Sequence, residues 1–232
     1  HSRRRGGVRF LGRPMKRTGL MLTLIGAVLL YSGIASAQET YSLEEVLDNM
    51  ERVGRDFRGF EATVEQDTVN VLVDFHTVKS GKVYLARRDD GSLLRMTLDD
   101  PPPAEELLVA RGKLQLYQPR INLVQEFDLG ENRNIAENLL VGFAASKADM
   151  LADYDITLVE EAVIDGVATS VIDLVPKSDR GAAMFATIRL WLDQQRWVPI
   201  NVRTTEPGGN YRVQKFSDRT INGSIPDSVF EL

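Results

Sequence analysis

A two-residue alternation of apolar and polar side chains governs most of the chain after residue 59. Phe60, Ala62 and Val64 alternate with polar neighbours, and the same period recurs in roughly a dozen segments as far as residue 220. Residues 71–76 continue the alternation and are predicted to form one of these strands. Because the strands do not alternate regularly with helices, the pattern predicts one large antiparallel sheet, long enough to curl towards a barrel.

One amphipathic helix is predicted before the first strand. Ser42 and Glu45 have the spacing of a capping box, which satisfies backbone N–H groups at a helix start. Apolar residues then recur at helical spacing over Leu43–Arg58, and Gly59 is a typical stop signal. The single apolar stripe predicts that this helix packs against the sheet.

The middle of the chain departs from the alternation. Asn134–Phe143 and Lys147–Tyr154 are predicted to form two short helices, the second capped by Ser146 with Asp149 three residues later. The first of these helices carries a dense apolar patch, which consists of Leu139, Leu140, Val141 and Phe143.

The beginning of the chain has the organisation of a secretory signal peptide. Lys16 and Arg17 follow Met15, Leu20–Leu30 is almost wholly apolar, and Ala35-Ser36-Ala37 matches the cleavage pattern. The apolar run is shorter than the ~20 residues of a membrane span. We therefore expect residues 1–37 to comprise an upstream segment and a cleaved leader. Residues 38–232 would form one domain, free in the compartment to which it is exported.

Charge and cysteine content exclude several classes of function. The sequence holds 28 Lys and Arg against 33 Asp and Glu, and seven of the basic residues but none of the acids fall in residues 1–37. Such an acidic domain is a poor candidate for binding nucleic acid through bulk charge. With no cysteine, the chain has no disulfide, thiol nucleophile, thiolate metal site or cysteine-linked lipid anchor.

The residues offer little for catalysis. His76 is the one histidine after the leader, so neither a hydrolytic triad nor a histidine-rich zinc site is favoured, and no glycine-rich phosphate loop occurs. Asp89-Asp90 and Asp99-Asp100 fall at predicted turns, where Asp is common for backbone reasons. Two carboxylates brought together in space would still permit a hydrolase. We expect no enzyme, no cofactor and no metal.

What remains is a binding architecture. A curled sheet covered by short apolar helices can enclose a cavity suited to a lipid, because each CH₂ removed from water contributes ~0.8 kcal/mol. The same apolar residues could equally fill an ordinary core, and the pattern alone does not decide between these alternatives.

The order of several motifs indicates a family. Gly81–Arg87 leads through Arg95-Met96 to Leu108–Pro119, and Leu174–Lys177 and Asn222–Phe230 follow in sequence. This order resembles that of the LolA-type outer-membrane lipoprotein carriers, over nearly the whole of the chain after Leu43. Departures occur where Arg88 stands in place of a proline, and where Arg111 precedes Gly112 in place of an aspartate.

The resemblance implies an incomplete antiparallel β-barrel of about 11–12 strands, with an N-terminal helix, lid helices over the mouth and a cavity for acyl chains. It implies a monomeric periplasmic carrier that moves lipoproteins from an inner-membrane release transporter to an outer-membrane receptor. A lipid-sensing or scaffold protein on the same fold is the alternative. By resemblance, Arg87 holds the lid, a role that Arg88 could take instead. The implied lid and lipid-binding residues are Arg87, Leu139, Leu140, Val141, Phe143, Met150 and Leu151.

Overall fold

The chain forms an antiparallel sheet with few helices. The computed structural model describes residues 40–89, 91–129, 141–144 and 146–231, all within one unit that spans Gln38–Leu232. In these residues the sheet has eleven strands. They are β1 (Gly59–Asn70), β2 (Phe75–Arg88), β3 (Gly91–Asp100), β4 (Glu105–Ala110), β5 (Lys113–Gln118), β6 (Leu123–Asp128), β7 (Tyr154–Ile164), β8 (Val167–Pro176), β9 (Thr187–Asp193), β10 (Pro199–Thr205) and β11 (Tyr211–Ile221).

Strand order confirms the predicted incomplete barrel. The order is β6-β5-β4-β3-β2-β1-β11-β10-β9-β8-β7, and the paired neighbours run antiparallel. The first and last strands meet in the middle, where Phe60 pairs with Ile221 and Val69 with Tyr211. Strands β6 and β7 form the two edges and do not pair with each other, so the curved sheet stays open between them.

The first helix, α1 (Leu43–Arg55), begins where the sequence predicts. The Ser42 Oγ accepts from the Glu45 N–H at 3.3 Å, and the Glu45 carboxylate accepts from the Ser42 N–H at 2.8 Å. The hydrogen bonds that the Ser42 N–H and the Ser42 hydroxyl donate to this carboxylate hold the pKa of Glu45 below its ordinary value. The helix ends three residues before the predicted Arg58, and Val46, Leu47 and Met50 form its buried face.

Two further helices connect the strands. Helix α2 (Lys147–Asp153) confirms the second predicted short helix, with the Ser146 Oγ accepting from the Asp149 N–H at 3.1 Å. Of the first predicted short helix, Asn134–Leu140 lies outside the described residues, and residues 141–144 form a turn. Helix α3 (Asp179–Met184) was not predicted, because its six residues are too few to display a helical period. No helix in the described part of the chain is long and apolar enough to cross a membrane.

The strand predicted over residues 71–76 is wrong at residues 71–74. Residues 71–74 form the turn between β1 and β2, and β2 begins at Phe75. The neighbouring strand β11 begins at Tyr211, opposite Val69, so the chain beyond Asn70 has no strand beside it on that side. The apolar residues of this segment have no sheet face against which they could be buried, so their alternation does not specify a strand here.

Candidate functional site

A cavity of about 430 Å³ lies on the concave face of the sheet. This volume is within the range of roughly 300–1,000 Å³ found for small-molecule sites. Strands β1 to β5 and β9 to β11 contribute to its wall, together with residues from the turn at 141–144. The apolar part of the wall includes Val83, Leu85, Leu94, Met96, Phe143 and Phe216.

The floor of the cavity is aromatic. The ring of Phe143 lies 4.8 Å from that of Phe60 and 6.0 Å from that of Phe216, measured between ring centroids. Gly142 permits this position, because its φ is +95° and a Cβ there would lie 2.9 Å from side-chain atoms of Leu190 and Pro199. The turn therefore packs closely against the sheet, and Phe143, which follows Gly142 in this turn, lines the cavity.

The other end of the cavity is polar. The lining residues there are Gln66, Glu105, Gln118, Thr204, Arg212 and Gln214. They lie near the strand ends that meet the β1–β2, β3–β4, β5–β6 and β10–β11 turns, so one end of the open barrel forms a polar rim. The cavity thus runs from a polar rim to an aromatic floor.

Two glutamines mark the boundary between rim and wall. Gln66 on β1 pairs in register with Gln214 on β11, and the Gln214 Nε2 donates to the Gln66 Oε1 at 2.9 Å. The same Nε2 lies 3.5 Å from the Met96 Sδ. The next inward-facing residues towards the floor are Val64 and Phe216. An amide pair therefore separates the polar rim from the apolar wall.

The charged rim residues are paired. Arg212 contacts the Glu206 carboxylate at 3.0 Å, and Lys79 contacts that of Glu105 at 2.5 Å. With these charges paired, the amides of Gln66 and Gln214 are the uncharged polar groups that border the apolar wall.

Arg87, near the end of β2, joins two segments that lie apart in sequence. Its Nη1 donates to the backbone carbonyl of Gly54 at 2.8 Å, and its Nη2 donates to that of Ala144. Gly54 belongs to the last turn of α1, where backbone carbonyls point out of the helix and carry partial negative charge. One guanidinium thus links the end of α1 to the turn that carries Phe143.

Arg88 points elsewhere. Its guanidinium contacts the Asp227 carboxylate at 3.0 Å and donates to the Ile225 carbonyl at 2.8 Å. It fastens the segment after β11 to the outside of the sheet, and neither of these two partners belongs to the turn at residues 141–144.

The predicted lid residues fall in different places. Val141 and Phe143 line the cavity. Met150 is buried, but it packs in the cluster of α1 and α2 with β8 and β9, and Leu151 is exposed. Leu139 and Leu140 lie outside the described residues. The strand residues of the cavity wall were not singled out from the sequence, although their alternation places them on one face.

His76, Asp99 and Asp100, which the sequence singled out as catalytic candidates, are not among the residues that line the cavity. His76 is half exposed and lies 3.5 Å from Asp67, and no cluster of three potential metal ligands is found within the described ranges. Asp99 and Asp100 end β3 beside a turn, and Asp90 is not among the described residues.

Comparison with known proteins gives matches in structure only. No family model and no curated protein matches the sequence. An uncharacterized conserved protein from Thermus thermophilus has a TM-score of 0.52 at 12% identity, covering 83% of this chain and 94% of that one. A LolA superfamily protein from Nitrosomonas europaea matches with a TM-score of 0.38 at 14% identity, over 83% and 99% of the two chains. A DUF1329 family protein from Desulfovibrio piger matches with a TM-score of 0.46 at 15% identity, covering 83% of this chain and 98% of that one.

The resemblance predicted from the motif order is confirmed as one of fold. At 12% identity the likeness to the Thermus thermophilus structure is one of fold alone. What the cavity of this chain binds is a separate question, which its own residues must answer.

Proposed function

We propose that this chain is a carrier that binds acyl chains in the cavity, and that it acts by binding rather than by catalysis. The observation that carries the proposal is the gradient along the cavity, from the polar rim at Gln66 and Gln214 to the aromatic floor at Phe143. An acylated molecule has the same gradient, with a polar head and an apolar tail. Removal of the tail from water supplies the affinity.

The proposed cargo is the acylated end of a lipoprotein, moved towards the outer membrane. The LolA-like fold supports this assignment, together with the leader pattern in residues 1–37 and the domain in residues 38–232. In this proposal the domain acts in the periplasm as a monomer. It receives cargo from an inner-membrane release transporter and delivers it to an outer-membrane receptor.

We propose further that Arg87 holds the empty cavity shut. Its two hydrogen bonds tie the turn of Val141 and Phe143 to the end of α1, and an entering chain must displace that turn from the apolar wall. Arg88 is the rival for this role, but its guanidinium is occupied by Asp227 and Ile225 on the outside of the sheet.

Native mass spectrometry of the protein recovered from a bacterial envelope tests the carrier function. We expect the protein to carry an acylated molecule. Met96→Trp would fill the cavity and should abolish that mass, whereas Val163→Trp on the exposed β7–β8 hairpin should leave it unchanged. A protein that stays ligand-free after expression with acylated lipoproteins, and that fails to bind a fluorescent fatty-acid probe, would disprove the carrier function.

A further inference from the structure

The turn between β1 and β2 exposes large apolar side chains to solvent. Val71, Leu72, Val73 and Phe75 are 46%, 85%, 68% and 61% exposed. Single exposed apolar residues are common on protein surfaces, but a group of four on one turn is not, and such groups mark interaction sites. We call these four residues the apolar tip.

The backbone of the apolar tip is fixed by hydrogen bonds. The Val71 N–H donates to the Asn210 Oδ1 at 3.1 Å, and the Leu72 N–H donates to the Asn70 Oδ1 at 3.1 Å. Asn210 belongs to the adjacent β10–β11 turn, so two turns support each other. The apolar side chains are therefore presented to solvent by an ordered turn.

A second turn at the same end of the barrel is also apolar. Ile121, between β5 and β6, is 61% exposed, and the strand order places its turn on the same side as the apolar tip. The polar rim of the cavity lies at this end as well, since Gln66 and Arg212 are close to the strand ends there. Two apolar projections thus flank the polar rim.

We propose that this end of the barrel docks on a lipid bilayer, with the apolar tip and Ile121 inserted at the surface. A stable protein–protein interface takes roughly 20–30 residues on each side, which two separate turns do not supply. A bilayer surface accepts separate apolar projections of any shape, because its hydrocarbon is fluid. Docking in this orientation places the polar rim against the lipid headgroups.

Charge determines which lipid surface fits. Asp74 lies between Val73 and Phe75, and Arg120 directly precedes Ile121. In the neighbouring turn Glu206 is paired with Arg212, so these turns carry no net positive charge that would favour an anionic surface. We infer that attachment depends on apolar insertion and that it is strongest on zwitterionic lipid. The proposal is independent of what the cavity binds, so an empty cavity would leave it intact.

The absence of cysteine allows each position to be labelled singly. Leu72→Cys, Ile121→Cys and Val163→Cys would each carry an environment-sensitive fluorophore. Val163 is the control, because it is exposed and lies at the end of β7 on the opposite side of the barrel. With phosphatidylcholine vesicles we expect a blue shift for the labels at 72 and 121, and none at 163. Leu72→Glu should lower the vesicle partition coefficient at least about tenfold, without changing the circular dichroism spectrum.

Several results would overturn the proposal. Equal responses of the labels at 72 and 163 would do so, as would a partition coefficient unaffected by Leu72→Glu. A shift seen only with phosphatidylglycerol vesicles and abolished by salt would indicate charge attraction instead of insertion. A shift that depends on protein concentration without vesicles would identify a second copy of the chain as the occupant.

Discussion

The concave face of the sheet is filled on one side and hollow on the other. Over β8 and β9, helices α1 and α2 press Val46, Met50 and Met150 onto Leu174 and Leu190, and all of these side chains are buried. We call this side the filled half. Over β3 to β5, which we call the hollow half, the apolar wall surrounds a cavity. Strand alternation puts apolar residues on the concave face in both halves, and helical cover decides which of them become core.

The dimensions of helices and sheets explain the difference. An α-helix with its side chains is about 10–12 Å wide, whereas adjacent strands lie about 4.8 Å apart. One helix therefore covers two to three strands. The described helices that contact the concave face, α1 and α2, cannot cover eleven strands, and part of the apolar face remains available to a ligand.

Removing a large side chain from each half compares them directly. Leu174→Ala in the filled half should lower the free energy of unfolding by about 2–5 kcal/mol, because Leu174 is fully buried in a packed cluster. Leu94→Ala in the cavity wall should cost less than about 2 kcal/mol, since Leu94 already borders empty space. Urea unfolding of both variants measures the difference, and equal losses would mean that the hollow half is packed like the filled one.

Arg87 connects the two halves, so its removal should loosen the boundary between them. Arg87→Leu leaves the carbonyls of Gly54 and Ala144 without their donor and should lower the free energy of unfolding by about 2 kcal/mol. If the turn of Phe143 closes the cavity, the variant should also bind a fluorescent fatty acid faster than the wild type in stopped-flow experiments.

Arg88→Leu is the matched control for that experiment. It removes an adjacent arginine whose contacts lie on the outside of the sheet, so the rate of probe binding should stay at the wild-type value. If neither variant alters probe binding or its release to acceptor membranes, Arg87 does not hold the cavity shut.

The sequence was informative where structure is local or periodic. The spacing of Ser42 and Glu45 predicted the start of α1, and the alternation predicted an antiparallel sheet of about the observed size. The prediction failed at residues 71–74, where the alternation continues but the neighbouring strand has not begun. Alternation indicates which residues share a face, and it does not indicate whether anything covers that face.

The candidate site depends on contacts that the sequence does not encode locally. Gln66 and Gln214 are 148 residues apart and meet only because β1 and β11 are neighbours in a particular register. Arg87 reaches Gly54 and Ala144 only because the sheet curves beneath α1. The motif resemblance suggested an arginine that holds the lid, but the groups that Arg87 contacts required the three-dimensional arrangement.

Tyr154 gives the filled half a dependence on pH. Burial raises the pKa of its hydroxyl to about 12, above the value near 10 expected in the unfolded chain. The folded state therefore favours the neutral phenol, and this contribution is complete below pH 10 and is lost as the pH rises towards 12. Between pH 9 and 11 the wild type should lose about 1 kcal/mol of unfolding free energy more than Tyr154→Phe does. Equal losses in urea titrations would show that the phenol is already accessible to water.

The smallest effect is expected at the boundary between rim and wall. Gln214→Leu removes the hydrogen bond to Gln66 and extends the apolar wall towards the rim, so it should change the free energy of unfolding by no more than about 1 kcal/mol. Its consequence should lie in the choice of ligand. Arg212 and Lys79 are paired with carboxylates, so in the proposed complex the amides of Gln66 and Gln214 would meet the ester or amide head of the ligand.

We therefore expect Gln214→Leu to weaken the binding of a monoacylglycerol about fivefold, which corresponds to the loss of one hydrogen bond. A hydrocarbon probe without a polar head should bind to the variant as it does to the wild type. Gln195→Leu, an exposed glutamine at the opposite end of the barrel, is the control and should alter neither. Competition titrations with both ligands measure the ratio. An equal loss of affinity for the two ligands would mean that Gln214 supports the cavity wall without contacting the polar head of the ligand. The hollow half would then select its ligand by the apolar tail alone.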